Sequence, residues 1–461
     1  MKLKRTLVLL SVFILSISLL LSGCSTDVGG QQEDTTETVA VDTPSTKESP
    51  TDAKAQDEQV LSTTDEVTIK ILYPWGQEAF DKLFKDIDEK LPNINVELVD
   101  SQAQLEPLQE LNAKQIVPDI IFANWGIDAL QELDMIEPLD DLIESHQFDL
   151  SGIDPSIIAY WRLVDSEGRL LGMPTASDNY TMFYNKEVFD LFGVPYPTGD
   201  LTWDDMVDLA KKLTGERDGI QYHGLEMGPG FAGTEALVPL KQLNVNLTDP
   251  ETGEVLITKE PAIIKYLELM KKFYSIPGIY SDDPEVRKDY SFQNKNVAMI
   301  VSWPGYIKWG IGDPEITKHI QSVPVPVWPE LPNIAPASFS HPFIINKYSE
   351  HKDEAFQVLA EYVSPEHQAQ LARIGDRPVL TDPKVYEEFG AELEVYEGMD
   401  INAFFSRQPV IPKTISKWDQ YVDLSGSLMK FSESDMNIPE FLRVLQEESE
   451  AKIKDAMAKG K

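Results

Sequence analysis

Between Val67 and Ile136 the apolar residues switch repeatedly between two spacings, and that alternation constrains the fold more than any other feature of the chain. VTIKILY (67–73) is an apolar run of strand length. After the turn PWGQ, the residues Phe80, Leu83, Phe84, Ile87 and Leu91 fall on one face of a helix. NVELV (95–99) alternates as a second strand, and Leu105, Leu108 and Leu111 return to helical spacing. PDIIFAN (118–124) reads as a third, buried strand and IDALQELDMI (127–136) as another helix. Strand and helix in strict succession predict a parallel sheet covered by helices, because parallel neighbours need a crossover between them.

Ligands of such sheets bind beyond the carboxyl ends of the strands. Here those ends read Tyr73-Pro-Trp75-Gly-Gln77 and Ala123-Asn124-Trp125-Gly126, with a Trp followed by Gly at both. Either indole could simply fold over its own core. Their repetition at equivalent strand ends makes Trp75 and Trp125 candidate ligand contacts, since an aromatic face suits the C–H face of a sugar ring.

A chain of 461 residues with 42% hydrophobic content exceeds what one core usually covers, so two lobes are expected. The folded part does not begin at Met1. Met-Lys-Leu-Lys-Arg precedes an apolar run from Leu7 to Leu21, which is short for a bilayer span of about 20 residues and reads as an export signal over 1–23. The chain's one cysteine, Cys24, follows directly in LSGCST. A single thiol excludes a CxxC redox pair, a cysteine zinc site and an intrachain disulfide. From Ser25 to Asp65 the sequence is mostly Thr, Ser, Asp, Glu and Gln, which cannot bury enough surface to offset its ordering entropy and is expected to be disordered. The Leu-Ser-Gly-Cys run resembles the bacterial lipobox, in which the cysteine is diacylated after cleavage in front of it. That resemblance makes Cys24 a lipid attachment point and 24–65 an acidic tether; the alternative is an ordinary secretory signal with a chance cysteine. Against 40 Lys and Arg stand 77 Asp and Glu, a formal charge of −37. Nucleic acid and anionic lipid, which are bound through clustered cations, are thereby excluded as partners.

The most informative stretch is LLGMPTASDNYTMFYNKEVFDLFGVPYPTGDLTWDDMVDLAKKLT (170–214). Within it, Thr202 is placed as an N-cap with Asp205 completing a capping box, and Met206, Leu209, Ala210 and Leu213 form an apolar stripe. The whole order resembles the family 1 extracellular solute-binding proteins of ABC importers, the maltose-binding type: a Gly-x-Pro, then Tyr-Asn-Lys, a short helix, a Pro, Thr-Trp-Asp-Asp and Lys-Lys-Leu-Thr. AKQIVPDIIFAN, SFQNKNVAMIVSWPG (291–305) and HPFIINKYSEHKDEAFQVLAEYVSPEHQAQLARIGDRPV (341–379) are similar to further segments of that family, although Asn294 stands where glycine is usual.

The resemblance implies an α/β, two-lobed, periplasmic-binding-protein-like (type II) fold with hinge strands between the lobes. The expected lobes are 66–176 plus 327–347 and 177–326 plus 348–461, with crossings near Thr175 to Asn179, Pro324 to Trp328 and Ile345 to Tyr348. It also implies a ligand-contacting acidic residue just after the first crossing, which is Asp178, with Asn179 and Tyr180 beside it. Trp303 stands where a stacking aromatic is common, and Phe231 in EMGPGFAGTEA where another cleft aromatic is expected. The local alternatives are a turn cap for Asp178 and a packed turn for Trp303.

Gly228-Pro-Gly230-Phe-Ala-Gly233 fits GxGxxG but lacks the preceding strand and the later acidic residue of a dinucleotide site. No HExxH, GxSxG or Walker loop occurs, and His146, His223, His319, His341, His351 and His367 are scattered without ligand spacing, each expected at the surface or in a turn. No catalytic residue, metal site or cofactor is expected. The reading is a monomeric, lipid-anchored receptor on the extracellular face of the bacterial cytoplasmic membrane, taking a sugar or oligosaccharide to an ABC permease. A secreted carbohydrate-active hydrolase, or a binding protein for a polyamine, peptide or metal complex, is the alternative.

Overall fold

The computed structural model describes residues 66–227, 235–281 and 283–459. The export signal, Cys24, the tether, Phe231 and the Gly228–Gly233 motif lie outside the described residues. Among the described residues no helix is long and apolar enough to cross a membrane.

Two sheets organise the chain. The first runs Ile94–Asp100, Val67–Tyr73, Ile120–Phe122, Pro342–Asn346, Ile136–Glu137, with Met173–Pro174 also paired to Pro342–Asn346. Its first three strands are parallel, Val67 opposite Ile94 and Leu72 opposite Ile121. Pro342–Asn346 enters antiparallel, Ile344 opposite Ile121, because the chain returns to this sheet from the other lobe and so arrives at the cleft end. Helix Gly76–Lys90 buries Phe80, Phe84 and Ile87 against the sheet.

The second sheet has Thr181–Asn185 at its centre, antiparallel to Met299–Ser302 on one side and Ile320–Pro324 on the other. Successive residues of a strand face opposite sides. Met182 and Tyr184 accordingly belong to a core with helices Trp203–Leu213, Pro261–Tyr274 and Ile438–Ala458. Phe183 turns to a separate cluster with Phe292, Ile307, Phe389 and Phe404. The helix Trp203–Leu213 starts as its sequence requires: Asp205 N–H donates to Thr202 Oγ1 at 3.2 Å, and Thr202 N–H donates to Asp205 Oδ2 at 2.8 Å.

The packing differs from the expected lobe boundaries in two places. Residues 327–335 stay with the second lobe. Trp328 is buried there with its indole N–H donating to Pro239 O at 2.7 Å, Val327 bridges Thr202, and Ile334–Ala335 pairs with Gln408–Pro409. Conversely, the chain past 348 stays with the first lobe. Helix Lys352–Tyr362 presents Ala355, Phe356, Val358 and Leu359 to the first core, and Tyr362 packs its ring 5.6 Å from Phe84 and 5.2 Å from Phe343. Val379, Leu380 and Val385 remain in that core, while Phe389 belongs to the second lobe.

Three segments therefore cross side by side: 175–180, 336–341 and 376–388. The first lies where the sequence places it. The second was expected near Pro324 to Trp328, but Pro324 only ends its strand. Asp178 and Phe339 exchange backbone hydrogen bonds of 2.7 and 2.8 Å, and Ser177 N–H donates to Arg377 O at 2.9 Å. Arg377, buried, adds its guanidinium to Ser177 O at 2.9 Å and Ser177 Oγ at 2.7 Å. Two of the histidines expected at the surface, His223 and His367, are instead buried; the ring of His223 stacks on Tyr290 at 3.4 Å and that of His367 lies 5.0 Å from Tyr362.

Candidate ligand site

A cavity of about 920 Å3 opens between the two sheets, at the upper end of the range for small-molecule sites of ~300–1,000 Å3. Loops at the carboxyl ends of the parallel strands supply Gln104, Asn124 and Trp125 to its wall, and helix Pro155–Leu163 supplies Tyr160. Asn179, Tyr180, Lys241 and Trp303 approach from the second lobe. Asp178, Ser338, Phe339 and His341, on two of the crossing segments, line the floor.

Local chemistry sets each orientation. Gly126, at φ +89°, turns the chain straight after Trp125 and donates its N–H back to Ala123 O at 3.2 Å, a backbone conformation that costs glycine little. Trp303 leaves strand Met299–Ser302 with its indole lying over Gly305; a Cβ there would come 1.9 Å from Cζ3 of the ring. Lys241 donates to the Tyr180 hydroxyl at 3.1 Å and lies 5.2 Å from its ring centroid. Trp161, buried, donates its indole N–H to Ser340 O at 3.1 Å and so holds the segment carrying Phe339 and His341. The rings of Phe339 and His341 meet edge to face at 4.9 Å, and Tyr160 lies 6.0 Å from Phe339.

The electrostatics favour a neutral imidazole and a carboxylate held back from ionising. Burial pushes the His341 pKa down to about 4, against the opposing hydrogen bond to the backbone of Ala123. Burial pushes the Asp178 carboxyl up to about 6; the Arg377 guanidinium opposes the shift and the charge of Asp376 adds to it. The Tyr160 hydroxyl is raised by burial and then by Asp128. Two wall atoms, Asn124 Oδ1 and Ser338 Oγ, are buried with no hydrogen-bond partner among the described residues. Such orphans cost about 1–3 kcal/mol each until a partner arrives. Among the described residues no group of three His, Cys, Asp or Glu has metal-binding geometry.

Of the residues singled out from sequence, Trp125, Asp178, Asn179, Tyr180 and Trp303 meet at this one cavity. Trp75 does not line it; its ring rests on Tyr73 at 5.0 Å and Phe122 at 5.3 Å. Phe231 lies outside the described residues. Tyr160, Lys241, Phe339 and His341 were not anticipated. For Phe339 and His341 the signal existed: they immediately precede strand Pro342–Asn346, and the amino end of an antiparallel strand opens on the same rim as the carboxyl ends of its parallel neighbours.

Two α/β lobes joined by crossing segments that lie side by side, with a polar and aromatic cavity between them, define a periplasmic-binding-protein-like ligand receptor. Residues 73–369 match the model of the family described as bacterial extracellular solute-binding protein, and the chain belongs to that family, the family 1 receptors of ABC importers. It is similar to a sugar transporter of Rhizobium etli solved in an open conformation: TM-score 0.65, 20% identity, 83% of this chain and 99% of that one. It is equally similar to the sugar-binding protein MalE of Xanthomonas citri, with TM-score 0.65 and 20% identity over 85% of this chain and 99% of that one. The arabinooligosaccharide-binding protein of Halalkalibacterium halodurans is 29% identical over 147 residues, 32% of this chain and 30% of the relative.

Proposed function

We propose that the protein is the receptor of a carbohydrate ABC importer, a monomer lipid-anchored through Cys24, which captures a sugar or oligosaccharide in the interlobe cavity and delivers it to a membrane permease. The observation that carries this reading is the placement of Trp125 and Trp303 on opposite lobes of one cavity with the Asp178 carboxylate at its floor. Indole faces stack on sugar C–H faces, and a carboxylate accepts vicinal hydroxyls in charge-assisted hydrogen bonds. A polyhydroxylated ligand also offers donors to Asn124 Oδ1. The likeness to sugar-binding relatives supports the same reading. A ligand shifts the balance between open and closed lobes only through its differential affinity for the two, so contacts from both lobes are what would make closure follow binding. The hydrolase alternative has no motif in its favour.

The test is thermal unfolding of the purified protein with a panel of mono- and oligosaccharides. A ligand at 100 times its dissociation constant is expected to stabilise by about 2.7 kcal/mol. Release of reducing ends would replace binding by hydrolysis as the reading. One observation favours a second ligand class: Asp128, Asp178 and Glu235 outnumber Lys241 among the charged wall residues, beside aromatic faces suited to a cation. Spermidine in the same melt, stabilising where no saccharide does, would select it.

The pH dependence follows from Asp178. Its folded pKa of about 6 lies above the ordinary 3.8, so between those values the folded protein holds a proton that the unfolded chain has released. The group thus contributes stability below its unfolded pKa, which is lost as pH rises through about 6. Asp178→Asn is expected to raise the unliganded melting temperature more at pH 7.5 than at pH 4.5. If the ionised carboxylate holds the sugar, wild-type affinity falls as pH drops below about 6, and the variant, weaker at neutral pH, loses that dependence. Equal pH profiles of affinity for the two proteins would take Asp178 out of the contact.

A further inference from the structure

The stretch Gly375-Asp-Arg-Pro378 carries a cationic side chain that lies behind the cavity rather than in its wall. Gly375, at φ +81°, ends helix Pro365–Arg373. Its N–H donates to Ala372 O at 2.9 Å and that of Asp376 to Leu371 O at 3.0 Å, the paired bonds that close a helix on a glycine. Pro378 favours an extended backbone at the residue before it, which suits Arg377 to run alongside the first crossing segment.

Arg377 is only 8% exposed, yet both acceptors of its hydrogen bonds are neutral, Ser177 O at 2.9 Å and Ser177 Oγ at 2.7 Å. Its Nε is buried with no hydrogen-bond partner among the described residues. The guanidinium carbon lies 5.1 Å from the ring centroid of Phe405. Phe405 packs with the second lobe, and its ring stacks at 4.0 Å and 4° on Tyr386, which packs against the first core. The guanidinium is therefore seated where the lobes meet, bonded to the residue next to Asp178. A buried cation with neutral acceptors is costly, and an apolar side chain of similar length would fill the space at less cost. Of the groups whose charge acts on Arg377, Tyr386 donates its hydroxyl to Leu380 O, and Asp154 caps helix Pro155–Leu163 by accepting Ser156 N–H at 2.9 Å. Asp178 is the third, and it lines the cavity.

We propose that Arg377 is a positioning residue of the ligand site: bonded to Ser177 and seated on Phe405, it fixes from behind the backbone that presents the Asp178 carboxylate to the ligand. This rests on the reading of Asp178 as a ligand contact. With Ser177 N–H bonded to Arg377 O as well, the adjacent carboxylate has little freedom left to lose when a ligand arrives. The guanidinium also opposes the upward pull of burial and of Asp376 on the Asp178 carboxyl, Asp376 itself being paired with Lys308 at 3.2 Å. The other titratable wall groups, among them Asp128, Glu235, Lys241 and His341, are untouched by substitution at 377.

Arg377→Met and Arg377→Lys, each with and without Asp178→Asn, test this. Melting curves from pH 5 to 8 without ligand come first. Wild type loses the Asp178 contribution as pH rises through about 6. In Arg377→Met the loss should extend about one pH unit higher, the scale of removing a nearby opposite charge, whereas Arg377→Lys, which keeps the charge, should follow wild type. In the Asp178→Asn background the methionine profile should run parallel to its parent. Calorimetry then uses the saccharide that most stabilises wild type. The pH below which affinity falls should rise by the same amount in Arg377→Met. Arg377→Lys should leave that pH unchanged but bind at pH 8 about threefold more weakly or worse, because an ammonium cannot both bond Ser177 and lie over Phe405 as a planar guanidinium does. Unchanged profiles in Arg377→Met, or an equal change in the Asp178→Asn background, overturn the positioning role. So does an Arg377→Lys affinity within a factor of two of wild type, which decides the question if the methionine variant does not fold. Failure of every saccharide to bind wild type overturns the carbohydrate reading instead, and the melting profiles still decide for or against Arg377.

Discussion

Trp303→Ala is expected to weaken binding of the sugar ligand by about 1–3 kcal/mol, about 5- to 150-fold in dissociation constant, as for a large aromatic anchor at the centre of an interface. The ring is half-buried at the end of strand Met299–Ser302, and it is set in place before any ligand arrives because it lies over a glycine. Little ordering entropy is left to lose on binding, so most of the stacking energy appears as affinity. The melting temperature without ligand should barely move, since the lost contacts are chiefly to the open cavity and to Gly305. Titration calorimetry at fixed pH measures the effect. An affinity within a factor of two of wild type would remove Trp303 from the site and leave Trp125 without an opposing face.

A different tryptophan is expected to govern stability. Trp203→Ala should destabilise the second lobe by about 3–5 kcal/mol, the usual loss for a fully buried Trp, read from the shift of the urea midpoint. Its side chain is inaccessible to solvent, and its indole N–H donates to Gln242 Oε1 at 2.7 Å. Gln242 in turn donates to Pro326 O at 2.7 Å and Ile334 O at 3.0 Å, tying residues 326–334 to this lobe. The substitution leaves a cavity and a buried amide oxygen without its donor. Trp203→Phe, which keeps most of the volume and loses the donor, should fall between wild type and alanine. A loss under about 1 kcal/mol for the alanine variant would mean that the site collapses around the missing ring.

Local order was legible in the sequence wherever one period or one cap decided it. The stripe Phe80, Phe84, Ile87 and the capping box of Thr202 and Asp205 are properties of a dozen residues, and the structure repeats them. The succession of strands and helices likewise gave three parallel neighbours in the first sheet. Strand ends nominated Trp75 and Trp125, of which only Trp125 lines the cavity, while Trp303 was nominated by the family resemblance and lines it as well.

What the sequence alone could not decide was which lobe a segment joins. Residues 327–335 and the helix Lys352–Tyr362 carry apolar stripes that either core could bury, and periodicity says which face is covered but not by what. Trp328 met Pro239, Tyr362 met Phe84 and Phe343, and the crossings moved accordingly. That long-range choice also decided the floor of the site. Phe339 and His341 join it because the second crossing falls at 336–341, and Asp178 acquires its raised pKa from burial and from the charge of Asp376, against the opposing guanidinium of Arg377, both some two hundred residues away in the chain. The sequence by itself determined the elements, their caps and the strand end that carries Trp125, because nearest-neighbour sterics and periodic burial act within a few turns of chain. Only the tertiary structure decided the hinge and the electrostatics of its carboxylate, because desolvation and Coulomb interactions depend on what distant segments bring together.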